Sequence, residues 1–110
     1  MKIDNKINIK SSYWKFNKSV AKNFTSHISK SVPLYEDAHE LILFLSDFFL
    51  RDGSTCYELG CSVGHLTKKI ASRHINKKIK IYGVDNEKPM IEIAKKTSKK
   101  FINISFLEKD

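Results

Sequence analysis

One short stretch, Thr55–Leu66 with the sequence TCYELGCSVGHL, constrains the fold of this chain most strongly. It begins with an apolar-leaning run that ends at Leu59 and has the length of a buried strand. Gly60 and Gly64 follow, with only small or β-branched residues between them, and a helical pattern starts at His65. This order opens the ligand crevice of a doubly wound α/β sheet, because a turn without bulky side chains lets the backbone approach a ligand.

Three kinds of site use a turn of this type. A nicotinamide or flavin fingerprint needs Gly-x-Gly-x-x-Gly, and His65 takes the place of its third glycine. The letters Gly60-x-Ser62-x-Gly64 also match the nucleophile elbow of α/β-hydrolases. That site would need an acid and a histidine later in the chain, and His65 and His74 follow Ser62 too closely. An adenosyl-binding site is the third possibility, and it depends on a feature further downstream.

That feature is a second β-branched run, Ile79–Asp85, which also ends in an acid. Its distance from Glu58 is enough for one crossover helix and a parallel return strand. Both strands would then end in a carboxylate at the same edge of the sheet, where an acid can accept hydrogen bonds from ribose hydroxyls. A single aspartate at a strand end is often merely solvated. Two acids in register with a glycine turn favour an adenosyl site.

The remaining segments continue the alternation of helices and strands. Residues 1–12 read as a loose arm and residues 13–110 as one partial domain. Helices are predicted over Asn17–Ser29 and Leu34–Leu50, and a third strand over Ile102–Leu107. Pro89 suits the first position of the helix before that strand. The second predicted helix has an apolar face that we expect to be buried, formed by Ala38, Leu41, Ile42, Leu45, Phe48 and Phe49.

Composition excludes several classes of protein. At 110 residues the chain forms at most one domain, and 41% hydrophobic residues argue against disorder. No apolar run approaches the roughly 20 residues of a membrane span, and the N-terminus lacks the apolar region of a signal peptide. Two cysteines without metal-ligand spacing predict a cytoplasmic protein with no metal site. The net charge of +8 comes from scattered lysines, which predict only weak, nonspecific attraction to nucleic acid.

Several motifs together resemble a known family. YELGCSVGHL followed by IYGVDNEKPMIEIA is similar to the first two motifs of class I S-adenosylmethionine-dependent methyltransferases. A narrower likeness, to carboxy-S-adenosylmethionine synthase and related methyltransferases, adds SVPLY at Ser31–Tyr35, GCS at Gly60–Ser62 and the pair Asp85-Asn86. Leu34 departs from the synthase, which usually has glycine there. The resemblance covers Trp14 to Asp110 and implies an incomplete Rossmann-like methyltransferase fold, with N-terminal helices and the first three parallel strands.

The resemblance also implies a cofactor, S-adenosyl-L-methionine, and gives roles to residues that match the motifs. Glu58 would hold the methionine amino group, Asp85 the ribose and Asp110 the adenine. The ring of Tyr35 would attract the sulfonium, although it could equally be packed at a helix start. Met90 would lie against the adenine or, as is more frequent, in the core. The full predicted set is Tyr35, Glu58, Gly60, Cys61, Ser62, Gly64, Asp85, Asn86, Met90 and Asp110.

No residue stands out as a general base, so the catalytic residues stay unknown. The resemblance implies methyl transfer to an unidentified acceptor. Two alternatives stay open: a carboxy-S-adenosylmethionine synthase-like enzyme of tRNA wobble uridine modification, and an inactive fragment that acts only as a binding module. The family's sheet continues well beyond three strands. We therefore expect self-association, or a second chain that supplies the missing strands.

Overall fold

A computed structural model of the chain describes Asn23, Ile28 and residues 32–110. The predicted arm over residues 1–12, and the predicted helix over residues 17–29 apart from Asn23 and Ile28, lie outside the described residues. Within them, helices and strands alternate in the predicted order. The elements are α1 (Tyr35–Phe49), β1 (Thr55–Leu59), α2 (His65–Arg73), β2 (Lys80–Asp85), α3 (Lys88–Thr97) and β3 (Ile104–Glu108).

The three strands form one parallel sheet in the order β1-β2-β3. The register places Glu58 opposite Gly83 and Asp85 opposite Glu108, so the strand-end acids lie at the same edge. Among the described residues β1 pairs only with β2, which leaves its other edge unpaired. This confirms the predicted α/β fold class with three parallel strands.

Two predicted strand starts were wrong by a small margin. β2 begins at Lys80 rather than Ile79, because the Ile79 N–H is still bonded within the preceding turn, to the Lys77 carbonyl at 3.1 Å. β3 begins at Ile104 rather than Ile102, because Ile102 lies in a turn and is fully exposed. Both residues are β-branched, so their β propensity alone does not mark where a turn ends and pairing begins.

The described helices cover one face of the sheet. Residues alternate along β2, with Ile81 and Gly83 buried and Tyr82 only partly covered. Ile81 packs with residues of α1 and α2, and Phe106 of β3 packs with residues of α3. On the opposite face Tyr57 stacks on Tyr82 with ring centroids 5.1 Å apart, yet 63% of Tyr57 is exposed. Parallel sheets usually have both faces covered, so this face lacks its normal layer in the part of the chain described.

The apolar face predicted for α1 is not the face that the helix buries. Its buried side chains are His39 and Leu43, which lie on one stripe with Tyr35 and pack toward α2. The residues predicted to be buried are all exposed: Ala38, Leu41, Ile42, Leu45, Phe48 and Phe49. The periodicity identified a real apolar stripe, but no other described element packs on it. None of the described helices is long and apolar enough to cross a bilayer.

Polar contacts hold α1 against α2 in a fixed orientation. Arg73 donates two hydrogen bonds to Asp47, at 2.8 and 2.7 Å, in a bidentate pair. Close to this pair, Ser46 Oγ and His74 Nε2 lie 2.8 Å apart, and His74 is buried. At the other end of the two helices Lys69 pairs with Glu36. These contacts fix the start of α1 beside the glycine turn.

Candidate functional site

The glycine turn between β1 and α2 is anchored on the tip of β2. The N–H groups of Gly60 and Cys61 both donate to the Val84 carbonyl, at 2.7 and 2.9 Å. Gly60 has a φ of +77°, and a Cβ built there would meet no atom within 4 Å, so the conformation rather than space favours glycine. Ser62 also has a positive φ, +54°, which is uncommon for a residue with a side chain and frequent at binding sites.

Asp85 connects this turn to the start of α3. Its Oδ2 accepts a hydrogen bond from the Ser62 N–H at 2.9 Å, and its Oδ1 accepts one from the Glu87 N–H at 2.9 Å. A carboxylate offers about four lone-pair positions, so two such donors leave acceptor capacity on both oxygens. Asp85 is therefore held in place by the backbone and can still accept hydrogen bonds from a ligand.

Glu58 points into the space behind the turn. The Thr67 hydroxyl donates a hydrogen bond to its carboxylate. Burial raises the pKa of Glu58, the Thr67 hydrogen bonds oppose that shift, and the nearby Asp85 charge adds to it. A carboxylate whose charged form is disfavoured by burial gains from a cationic partner. The ammonium of an amino acid would be such a partner.

A cavity of about 280 Å³ lies between the glycine turn and the first residues of α1. Ligand pockets usually measure about 300–1,000 Å³, so this one has room for part of a dinucleotide-sized or adenosyl ligand. Predicted residues form much of its wall, namely Tyr35, Glu58, Gly60, Cys61 and Ser62. The acid, the exposed backbone and the aromatic ring match the amino-acid and sulfonium end of S-adenosylmethionine.

Three other predicted residues lie at the strand ends outside this cavity. Asn86 Nδ2 is 3.5 Å from Asp110 Oδ1, and both side chains are exposed. The Lys109 N–H donates to the Asp85 carbonyl at 2.9 Å, which keeps the ends of β2 and β3 together. Asp85, Asn86 and Asp110 therefore share one edge of the sheet, where the ribose and adenine of an adenosyl ligand would lie. The residues present fit the cofactor that the resemblance implies.

The two remaining predicted residues, Met90 and Gly64, and the side chain of Cys61 serve mainly in packing. Met90 has none of its surface exposed and therefore lies in the core, the second of the two positions considered for it. Its side chain has no free surface for an adenine. Gly64 is buried against the Phe106 ring. The Cys61 side chain packs in the same cluster, and burial raises the pKa of its thiol to about 12. Cys61 can thus contribute backbone to a ligand but is inert as a nucleophile.

Two histidines outside the predicted set, His39 and His65, also line the cavity. The His39 ring lies 4.2 Å from the Tyr35 ring and 5.5 Å from the His65 ring, between centroids. Burial lowers the pKa of both histidines, and the Lys69 charge lowers it further. No local pattern marks His39 as a site residue. Only the position of His65, directly after Gly64, could have drawn attention to it.

Comparison with known proteins decides between the three kinds of site. Residues 50–110 match the methyltransferase-domain family, and this segment contains the glycine turn and all three strands. The chain belongs to this family. Its class I members use S-adenosylmethionine, so the turn is of the adenosyl type and Ser62 is not part of a hydrolase elbow.

Individual relatives agree with this family assignment. The chain is 36% identical over 96 residues to the carboxy-S-adenosyl-L-methionine synthase of Campylobacter jejuni. This match covers 86% of the chain and 40% of the relative. It is 42% identical over 78 residues to the synthase of Pasteurella multocida, in a match that covers 70% of the chain and 32% of the relative. A solved S-adenosylmethionine-dependent methyltransferase of Methanococcus maripaludis superposes on the chain with a TM-score of 0.63 at 27% identity. This superposition covers 94% of the chain and 46% of the solved structure. The chain thus spans less than half the length of each of these relatives.

Proposed function

We propose that the chain binds S-adenosyl-L-methionine and forms the donor-binding portion of a class I methyltransferase, acting in the cytoplasm on an acceptor still to be identified. The observation that carries this proposal is the position of two acids on either side of one glycine turn. Glu58 lines a cavity behind the turn, and Asp85 is held beside it by the Ser62 N–H. The two acids match the methionine ammonium and the ribose hydroxyls of the cofactor.

Each residue has a specific task in this proposal. Glu58 would hold the methionine ammonium, and the backbone of Gly60 to Ser62 would contact the amino-acid part. Asp85 would accept hydrogen bonds from the ribose, and Asp110 would accept one from the adenine amino group. The sulfonium supplies an already activated methyl group, so these residues chiefly bind and orient the donor.

A second candidate is a carboxy-S-adenosylmethionine synthase-like enzyme of tRNA wobble uridine modification. The similarity to the synthases of Campylobacter jejuni and Pasteurella multocida supports it. One structural observation also supports it. Leu34 has a φ of +60° and lies directly before α1, at the position where the synthase usually has glycine. A left-handed conformation favours glycine, so this chain keeps the local conformation that such a glycine would adopt. The third candidate is a module that binds the cofactor without catalysis.

Calorimetric titration with S-adenosylmethionine tests the first proposal. We expect saturable binding to one site, and weaker binding of ATP, because ATP shares the adenosine but has phosphates that Glu58 would repel. Circular dichroism must show that the protein is folded in the same buffer. If the folded chain gives no heat of binding with S-adenosylmethionine at millimolar concentration, the proposal is ruled out. Affinity equal to that for ATP would contradict the role of Glu58.

We further propose that a second copy of the chain covers its exposed apolar surfaces. The outer face of α1 exposes 70% of Phe48 and 75% of Phe49, and the open sheet face exposes 79% of Leu59. The unpaired edge of β1 adds a row of backbone donors and acceptors that can pair with another strand. Apolar patches of this kind on soluble proteins mark association sites.

Sedimentation velocity tests this association. We expect the chain to sediment above its monomer mass at micromolar concentration, and the double change Phe48→Ser with Phe49→Ser to shift it toward monomer. The matched control is Ile75→Ser with Ile102→Ser, which removes two exposed apolar side chains elsewhere on the surface. A chain that stays monomeric at high concentration would contradict the proposal. An equal effect of the two double changes would move the interface away from α1.

A further inference from the structure

Three potential metal ligands converge at the contact between α1 and α2. One ligand atom each from Glu36, His39 and His65 lies within 4.8 Å of the others. We propose that these residues form a binding site for a divalent transition-metal ion, with Zn²⁺ as the best match. The inference does not depend on the proposed function, because the metal ion alone is the probe. The sequence alone predicted no metal site, because its two cysteines lack metal-ligand spacing.

The fold explains why the three residues meet. Glu36 and His39 are three residues apart on α1 and therefore share a helix face. His65 is the first residue of α2, and its Nε2 lies 4.0 Å from Glu36 Oε1. His39 is buried and His65 is partly buried, so two of the three donors are already ordered by packing. The aromatic contacts among Tyr35, His39 and His65 hold both imidazoles in place.

The donor set suits zinc. Two imidazole nitrogens and one carboxylate oxygen are the ligands of many zinc sites that keep a fourth position open. Tetrahedral coordination at about 2.0–2.1 Å brings ligand atoms to about 3.4 Å from one another. The three side chains therefore have to move closer together by about 1 Å, and the partly exposed Glu36 and His65 have the freedom to do so. Both histidines line the cavity, so a bound ion would form part of its wall.

Lys69 shows that these donors already attract a cation. Its Nζ lies 2.8 Å from Glu36 Oε2 and 3.2 Å from His39 Nδ1. The ammonium therefore occupies the side of the cluster from which two of the ligands would bind a metal ion. Metal binding has to displace this lysine, so the two cations compete. Removal of the lysine charge should then tighten metal binding, a result that a purely structural cluster would not give.

Titration of the tag-free, metal-free protein with Co²⁺ tests the site, because cobalt in a zinc site gives visible absorption bands. We expect one ion per chain, displaced by Zn²⁺. His65→Ala should weaken binding by more than about tenfold, since loss of even an outer-shell partner has that effect. Lys69→Met should strengthen it. The control is Lys68→Met, the neighbouring lysine of α2, whose Nζ bonds Thr97 instead and whose removal should change the affinity far less than that of Lys69.

Two results would overturn the inference. One is equal Co²⁺ affinity of the parent and His65→Ala, which would place the ion elsewhere. The other is a lack of binding by both the parent and Lys69→Met at millimolar Co²⁺, with circular dichroism showing both to be folded. Lys69 would then be the permanent cation of a structural network with Glu36 and His39. Tighter Co²⁺ binding by Lys69→Met together with loss of Co²⁺ binding in His65→Ala supports the site. Both results are expected only if the ion binds to the ligands that now contact Lys69.

Discussion

Replacing Gly64 with alanine is expected to lower the free energy of unfolding by about 2–5 kcal/mol. Two effects add. Gly64 has a φ of +79°, where a side chain costs about 1–2 kcal/mol. The new Cβ would also lie 2.6 Å from Cζ and 2.9 Å from Cε1 of the buried Phe106 ring. Overpacking of this kind typically costs about 1–3 kcal/mol. Urea unfolding followed by circular dichroism at low protein concentration measures the loss.

Gly53→Ala is the matched control for this change. Gly53 has a similar φ of +88°, but a Cβ there would meet no atom within 4 Å. It should therefore show only the conformational part, about 1–2 kcal/mol. Phe106→Leu introduced together with Gly64→Ala should recover part of the additional loss, because it removes the ring atoms that the Cβ contacts. Equal losses for the two glycine changes would show that the ring moves aside freely and that packing plays no part.

Asp85→Ala is expected to weaken S-adenosylmethionine binding by at least about 100-fold, or about 3 kcal/mol. Hydrogen bonds to a charged group contribute about 1.5–3 kcal/mol each, and the ribose would make two of them. Glu108→Ala is the control, because Glu108 is the exposed acid directly opposite Asp85 at the end of the neighbouring strand. Calorimetric titration of the three proteins gives the comparison. Equal affinities for the two variants would remove Asp85 from the site.

The Asp85 carboxylate also has a structural task, which the experiment must separate from binding. Alanine leaves the N–H groups of Ser62 and Glu87 without their acceptor. Asp85→Asn keeps the shape and one oxygen acceptor while removing the charge, so it disturbs the turn less. The asparagine leaves one of these two N–H groups without an acceptor, so we expect this variant to melt between the alanine variant and the parent and to bind the cofactor more weakly than the parent. Parent-like binding by Asp85→Asn would show that the carboxylate acts on the fold alone.

Sequence by itself determined the features that depend on local chemistry. The pattern from Thr55 to Leu66 specified strand, turn and helix, because glycine tolerates positive φ at Gly60 and Gly64 and few other residues do. β-Branched runs that end in acids specified the next strand and placed Asp85 at its tip. The order of these elements, with the motifs within them, was sufficient for the parallel sheet and the family. Exact strand starts were less certain, since propensity does not distinguish a turn residue such as Ile102 from a paired one.

Only the tertiary structure decided which surfaces meet. The apolar stripe of α1 predicted burial of Phe48 and Phe49, yet the helix packs through His39 and Leu43, because burial requires a partner element as well as an apolar face. Met90 was assigned to the interior in the same way, by the packing of α3 on the sheet. The group of Glu36, His39 and His65 joins two residues of α1 with the first residue of α2. Their separation depends on how α1 lies against α2, and neither helix specifies that orientation alone.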